Sequence, residues 1–253
     1  YEIHWRDWSS DVCSSDLSEF VVGDRVAYCT APCGSYSERR VIDKRYLIKL
    51  PSDISDDLAS AILFKGMMAH CLTHSVFPTS KESIVLIHGA SGGVGQLVSQ
   101  WASSRGAIVI GTTRSDQKND LLSKNGCQYV LNIKSPDFVE RVMEITKNKG
   151  VSVVYDPIGA ETSKISFESL CRFGLYVSYG QISGAVGNIS LSVLNSRSLF
   201  ITSPSLLHYK RNKFIKSLTA IELFEVIRKG ILKININRKY NLSDIVQAHK
   251  DME

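Results

Sequence analysis

No stretch of the chain approaches the roughly 18 consecutive apolar residues that a membrane-crossing helix needs, and no secretory leader with an apolar core opens it. Cysteine is sparse: six residues, at 13, 29, 33, 71, 127 and 171. Their uneven spacing argues against a disulfide scaffold and for a reducing compartment, the cytoplasm. A structural zinc lobe needs four ligands that converge on a tetrahedron, and only Cys29 and Cys33 are close together. With 17 glycines and 6 prolines in 253 residues, and with 43% hydrophobic against 22% charged, the chain is neither collagenous nor disordered nor a coiled coil. Its net charge of +5 is too mild to indicate nucleic acid. That charge is concentrated, because residues 207–240 hold nine Lys and Arg against two acids.

Residues 1–17 stand apart. They begin at Tyr1 without Met, hold two of the three tryptophans among Asp and Ser, and show neither helical nor strand periodicity. They look like translated sequencing-adapter sequence joined to a genuine reading frame, and we treat them as a non-native segment.

From Phe20 the pattern becomes coherent. Val21-Val22-Gly23-Asp24-Arg25-Val26 reads as a turn entering a strand, and Gly34-Ser35-Tyr36-Ser37-Glu38 as a second turn before a strand at Val41-Ile42. This is β-rich barrel material. Ser55, Asp56 and Asp57 then supply caps for a helix through Leu58, Ile62 and Leu63. Beyond residue 80, apolar strands alternate with amphipathic helices: strands at 84–88, 107–112, 129–132, 151–156, 175–179 and 199–202, helices at 94–105, 117–125, 136–147 and 161–172. Strands joined by helices of this length pair in parallel through right-handed crossovers. The expected fold class is α/β, a doubly wound Rossmann sheet, followed by a long helix over 212–229.

The first strand-to-helix turn carries the chemistry. In His88-Gly89-Ala90-Ser91-Gly92-Gly93-Val94-Gly95 the glycines allow a tight turn, close approach of backbone N–H groups to a pyrophosphate, and close packing of helix on sheet. No Gly-Lys-Ser/Thr follows, which excludes a Walker phosphate loop. At the end of the second strand, where NAD sites place an acid for the ribose hydroxyl, the chain has Arg114, Ser115 and then Lys118. Cations and hydroxyls suit a 2′-phosphate, so the cofactor read here is NADPH; Asp116 binding a ribose is the alternative.

Together these residues resemble the zinc-independent quinone oxidoreductases, the zeta-crystallin-like branch of the medium-chain dehydrogenase/reductase superfamily. The resemblance runs through Val22–Val26, Gly34–Glu38, Leu63–Met67, His88–Gly95, Val154–Gly159, Val177–Gly180, Ser183-Gly184 and Pro204–Leu206, in order, across residues 19–253. It implies a partial GroES-like β-barrel over 18–80, a Rossmann NADP-binding domain over 81–205 and a return segment over 206–253. It further implies a small-molecule quinone as hydride acceptor, no metal and a homodimer. Position by position, Gly92, Gly93 and Val94 would meet the pyrophosphate, Arg114, Ser115 and Lys118 the 2′-phosphate, and Tyr179, Gly180 and Gln181 the nicotinamide half. Pro204, Ser205 and Leu206 would close over the nicotinamide.

The departures also matter. Met68 replaces a family threonine, and Ile133 replaces a tyrosine beside adenine. The family pattern is also cut short at both ends, so no catalytic residue is named. Four other features read plainly. His70 and His74 lie four apart on a helix without a third ligand. Asp156 before Pro157 reads as a loop cap rather than half of a Tyr155-Asp156 catalytic pair. Cys127 and Cys171 read as packing residues, and the basic stretch as a solvated helix face. Two alternatives to quinone reduction stay open: reduction of an α,β-unsaturated carbonyl, and a non-enzymatic RNA-binding or crystallin-like role through the basic stretch.

Overall fold

The computed structural model describes residues 20–29, 33–209 and 213–251, the side chains of 213–215 excepted. The segment 1–17, and Lys210 and Arg211 of the basic stretch, lie outside the described residues. Two compact units are present, one formed by Met68–Tyr209 and the other by residues up to 67 together with those from 210.

In the first of these, six strands form one parallel sheet: β1 (Ile84–Ile87), β2 (Ile108–Thr113), β3 (Tyr129–Asn132), β4 (Val151–Asp156), β5 (Leu170–Ser178) and β6 (Phe200–Thr202). Their order across the sheet is β3-β2-β1-β4-β5-β6. The helices between them are α1 (Gly93–Ser104), α2 (Asn119–Lys124), α3 (Phe138–Ile145) and α4 (Ser163–Ser169). This is the doubly wound arrangement read from the alternating pattern. The chain moves outward one way from β1 and then returns to the other side at β4. A crevice therefore opens outside the carboxyl ends of β1 and β4. Central strands buried on both faces explain their apolar runs; Leu86, Ile110, Val154 and Tyr176 pack with Phe138, Val142 and Phe167 on one side of the sheet.

Periodicity misjudged the end of α4. A helix over 161–172 was expected, but α4 ends at Ser169 and Leu170 already pairs with Val151. The Arg197 guanidinium donates to the carbonyls of Phe167, Glu168 and Leu170, satisfying the last turn from outside. Phe173 then takes a φ of +61° in a bulge that shifts the register of β5 on β4.

The second unit contains one antiparallel strand pair, Val26–Tyr28 with Leu47–Lys49, Ala27 facing Ile48. The strand expected at Val41-Ile42 is not formed and Val41 is fully exposed. Asp43 instead caps a 3-10 turn over Lys44–Tyr46, its carboxylate accepting from the Arg45 N–H at 2.9 Å, so extension resumes only at Leu47. Barrel-like β structure among the described residues is thus limited to this pair. The helix Asp56–His70 begins as read, with Ser55 Oγ accepting from the Leu58 N–H at 3.2 Å. In the same unit, a Cβ on Gly66 would lie 2.5 Å from Leu223 Cδ1 of the helix Lys213–Arg228, which fixes how closely those helices approach.

Several cations of the basic stretch are engaged within this unit. Arg228 pairs with Asp53 and Glu225, Arg238 with Asp251 and Lys239 with Asp57, while the buried Lys216 ammonium donates to the Arg45 carbonyl.

Candidate functional site

Strand β1 delivers the chain into the crevice at His88, where the sequence turns on Gly89. A φ of +60° at Gly89 is the left-handed conformation that glycine adopts without a side-chain clash, and the Gly92 N–H closes the turn on the Gly89 carbonyl at 2.8 Å. Gly92 caps α1 with no side-chain oxygen. No side chain therefore caps the first-turn amides of α1, Gly93 and Val94 among them, at the positive end of the helix. A Cβ on Gly95 would lie 2.3 Å from the Gly89 carbonyl oxygen, so helix and turn are stacked as tightly as backbone allows.

Beside this turn lies a cavity of about 160 Å³ lined by Gly89, Ser91, Thr112, Thr113, Arg114, Ser115, Lys118, Ile133 and Ile158. The structure thus brings together Gly89 and Ser91 of the glycine turn, all three residues read as a 2′-phosphate set, and Ile133, while Gly92, Gly93 and Val94 are not among the lining residues. No carboxylate lines this cavity; Asp116, the ribose alternative, is exposed in the 3-10 turn Asp116–Lys118 and is not among the lining residues. Thr113 shapes the phosphate-side loop. Its Oγ1 accepts from the Ser115 N–H at 3.0 Å and donates to the Ser115 carbonyl at 2.8 Å, which bends the chain at Arg114. The cavity adds Thr112, Thr113, Ser91 and Ile158 to the residues assigned to the cofactor from the sequence. The Thr-x-Ser spacing was a usable signal for Thr113, whereas Ile158 arrives from a different crossover.

The remaining positions read as cofactor contacts are elsewhere. Tyr179, Gly180 and Gln181 follow β5, and Pro204, Ser205 and Leu206 follow β6; none lines the cavity beside the glycine turn. Both groups stand at the same carboxyl edge of the parallel sheet. The loop after β5 is tied to the loop after β4: the Tyr179 N–H donates to the Asp156 carbonyl at 2.9 Å and the Ile182 N–H to that of Pro157 at 3.1 Å. A Cβ on Gly180 would lie 2.7 Å from the Pro157 carbonyl oxygen, so only glycine permits this approach. Burial, with the charge of Asp156, pushes the Tyr179 hydroxyl well above its usual range, which keeps it protonated. The Ser205 carbonyl accepts from His208 and Tyr209 to open a short helix, Leu206–Tyr209, in which Leu206 is buried.

Beneath the crevice is a buried polar cluster. Asp156 Oδ1 accepts from the Ile158 N–H at 2.7 Å and the Gly159 N–H at 3.2 Å, and Oδ2 accepts from Thr162 Oγ1 at 2.6 Å and the Tyr176 hydroxyl at 2.9 Å. Asp156 therefore caps the loop after β4, as read. Tyr155 points to the opposite face and donates to the Leu72 carbonyl at 3.1 Å, so the two do not form a pair. His88 sits between Thr112 Oγ1 at 3.2 Å and Ser166 Oγ at 2.9 Å, and complete burial pushes its pKa down to about 4. A neutral imidazole here bridges β1, β2 and α4 under the glycine turn.

The bland readings of the other residues also have a geometric basis. His70 and His74 stack at 4.2 Å against the edge of Trp101, and His74 faces Arg105 Nη1 at 3.0 Å. Among the described residues no three His, Cys, Asp or Glu side chains converge as metal ligands would. Cys127 is buried against Ser99, its thiol pushed up to about 11 by burial. Cys171 is only partly buried.

A parallel doubly wound sheet, a glycine turn at its switch point and a cation-lined pocket after its second strand define a protein of the dinucleotide-binding α/β class. Residues 93–224 match the family described as zinc-binding dehydrogenase. The chain is 34% identical to a quinone oxidoreductase of Pseudomonas aeruginosa, over 96% of its own length and 75% of the relative's. It is 38% identical to a 2-haloacrylate reductase of a Burkholderia species, over 93% and 72%. The crystal structure of Escherichia coli quinone oxidoreductase complexed with NADPH superimposes with a TM-score of 0.89 at 37% identity, covering 93% of this chain and 73% of that one. The chain belongs to the quinone oxidoreductase family of the medium-chain dehydrogenase/reductase superfamily.

Proposed function

We propose that the protein is an NADPH-dependent quinone reductase. The observation that carries this reading is the cavity after β2, lined by Arg114, Lys118, Ser115 and Thr113 with no acid among its lining residues, beside a glycine turn that opens a helix. Such a donor set fits a 2′-phosphorylated dinucleotide. Gly92, Gly93 and Val94 would hold the pyrophosphate through backbone N–H groups, Arg114, Ser115 and Lys118 the 2′-phosphate, and Ile133 and Ile158 would flank the adenosine. Tyr179, Gly180 and Gln181, with Pro204, Ser205 and Leu206, would position the nicotinamide end. When bound, the cofactor supplies a hydride for an electron-poor quinone. The chain's own work is then to position, neutralise and exclude water, the contributions that such a transfer mainly needs.

We also read the protein as a zinc-independent cytoplasmic homodimer. The uneven spacing of the cysteines supports the reducing compartment, and the exposed edge strand β6, with Phe200 and Ile201 uncovered, supports the dimer. A second acceptor class is favoured by the 2-haloacrylate reductase relative: a conjugated C=C, which takes hydride by the same chemistry. Steady-state oxidation of NADPH against a panel of quinones and enones decides between them. Absence of quinone turnover, or a clear preference for NADH, would overturn the proposal.

A further inference from the structure

Arg114 does not project into open solvent. From the end of β2 it reaches the loop after β4, where its Nη2 donates to Glu161 Oε2 at 2.5 Å, between residues 47 positions apart in the chain. Both side chains stay about half exposed, at 52% and 62%. Glu161 is itself well placed. Its N–H donates to Ser183 Oγ at 3.0 Å, Ser183 Oγ donates to the Ile158 carbonyl at 2.9 Å, and the neighbouring Ala160 N–H donates to the Gly184 carbonyl at 3.1 Å. Ile158, three residues earlier on the same loop, lines the adenosine-side cavity. The ion pair therefore connects two of the cavity's bordering loops, and its cation is one of the two that line it. Lys118, the other, makes no ion pair among the described residues.

We propose that Glu161 is a specificity-determining residue for the nucleotide: its carboxylate competes with the adenosine 2′-phosphate for the Arg114 guanidinium, and so sets how strongly the site prefers a phosphorylated dinucleotide. The proposal rests on the reading of Arg114, Ser115 and Lys118 as the 2′-phosphate set. A phosphate monoester carries close to two negative charges and can take two guanidinium N–H groups at once, whereas Glu161 holds Arg114 through one nitrogen. The phosphate is thus the stronger partner. An exposed ion pair is weak but not negligible, so the exchange costs part of the affinity gained, and the displaced carboxylate remains close to the incoming anion. Glu161 moderates the discrimination that Arg114 and Lys118 create.

The test compares two probes that differ only by the phosphate in question, adenosine 2′,5′-bisphosphate and adenosine 5′-monophosphate. They are titrated calorimetrically into the full chain, its Glu161→Gln and Arg114→Ala variants, and the double variant, with thermal unfolding confirming that each is folded. Glu161→Gln should tighten the bisphosphate by roughly three- to fivefold, the scale of an exposed ion pair, and leave the monophosphate within about twofold. In the Arg114→Ala background the same substitution should do much less. No tightening, equal tightening of both probes, or an effect that persists without Arg114 would overturn the proposal. If the wild-type chain binds both probes equally, the phosphate reading itself fails. If it prefers the bisphosphate and loses that preference with Arg114→Ala, yet ignores Glu161→Gln, only the role of Glu161 is refuted.

Discussion

The Gly89 carbonyl oxygen occupies the space where a side chain on Gly95 would begin, 2.3 Å from the position of its Cβ. The Ala90 Cα at 2.9 Å crowds the same point, and both obstacles are backbone. Gly95→Ala must therefore push α1 away from the turn. Overpacking of this kind costs about 1–3 kcal/mol, or a melting temperature lower by roughly 2–10 °C for a chain of this size. Dinucleotide affinity should fall at least tenfold, because the first-turn amides move with the helix. Thermal unfolding and a fluorescence titration with NADPH test this, and unchanged affinity would count against the pyrophosphate assignment.

Lys118 borders the cavity from the turn after β2. Removing one charge-assisted contact to a phosphate costs about 1.5–3 kcal/mol. Lys118→Ala should accordingly weaken NADPH by about ten- to a hundredfold and NADH by less than about threefold. Equal losses for the two would show that Lys118 reads something other than the 2′-phosphate.

His88 gives the fold an acid limit. Burial depresses its pKa from 6.5 to about 4, so the folded protein binds this proton less readily than the unfolded chain does. Its contribution is complete above about pH 6.5 and is lost as the pH falls from there towards 4, a total of roughly 3 kcal/mol. Denaturant titrations at steps between pH 7 and 4 should show this decline, and His88→Asn should flatten it while lowering stability at pH 7. An unaltered slope in the variant would place the acid sensitivity in other groups.

Asp156 accepts from two N–H groups and three hydroxyls, those of Thr162, Tyr176 and, at 3.5 Å, Ser166, in a fully buried setting. Tyr176→Phe deletes one donor and should cost about 1–2 kcal/mol. Asp156→Asn turns an acceptor into a donor facing Thr162 and Tyr176, and should cost more, about 3–4 kcal/mol. Urea unfolding of both variants checks the order; a milder effect for Asp156→Asn would mean that its carboxylate is not needed as an acceptor.

Local patterns made the Rossmann half legible. Apolar runs bounded by glycines located β1 to β6 within a few residues, and the His88–Gly95 turn and the Arg114-Ser115 corner were readable because each lies within one strand-to-helix connection. What escaped was settled by groups distant in sequence. The last turn of α4 is capped by Arg197, 27 to 30 residues further along the chain, where the local periodic signal cannot register it. Glu161 looked like one acid among many until the sheet placed it against Arg114. In the other unit, Val41-Ile42 had the composition of a strand, but the side chain of Asp43 gave the backbone a competing turn. The Asp156 cluster was visible only as a single loop cap, since its hydroxyl donors come from α4 and β5.

The two units also differ in how the chain supplies them. The nucleotide-binding unit is one unbroken segment, Met68–Tyr209, whereas the other needs residues on both sides of it. During synthesis, the sheet and its glycine turn can therefore assemble as soon as residue 209 has left the ribosome. The helix Asp56–His70 must wait for Leu223, the side chain that fills the space opposite Gly66. A nascent chain paused once residue 209 has emerged, with Leu223 still inside the exit tunnel, would already hold the sheet and its glycine turn, with the partner surfaces of its earlier segment still uncovered and open to chaperones.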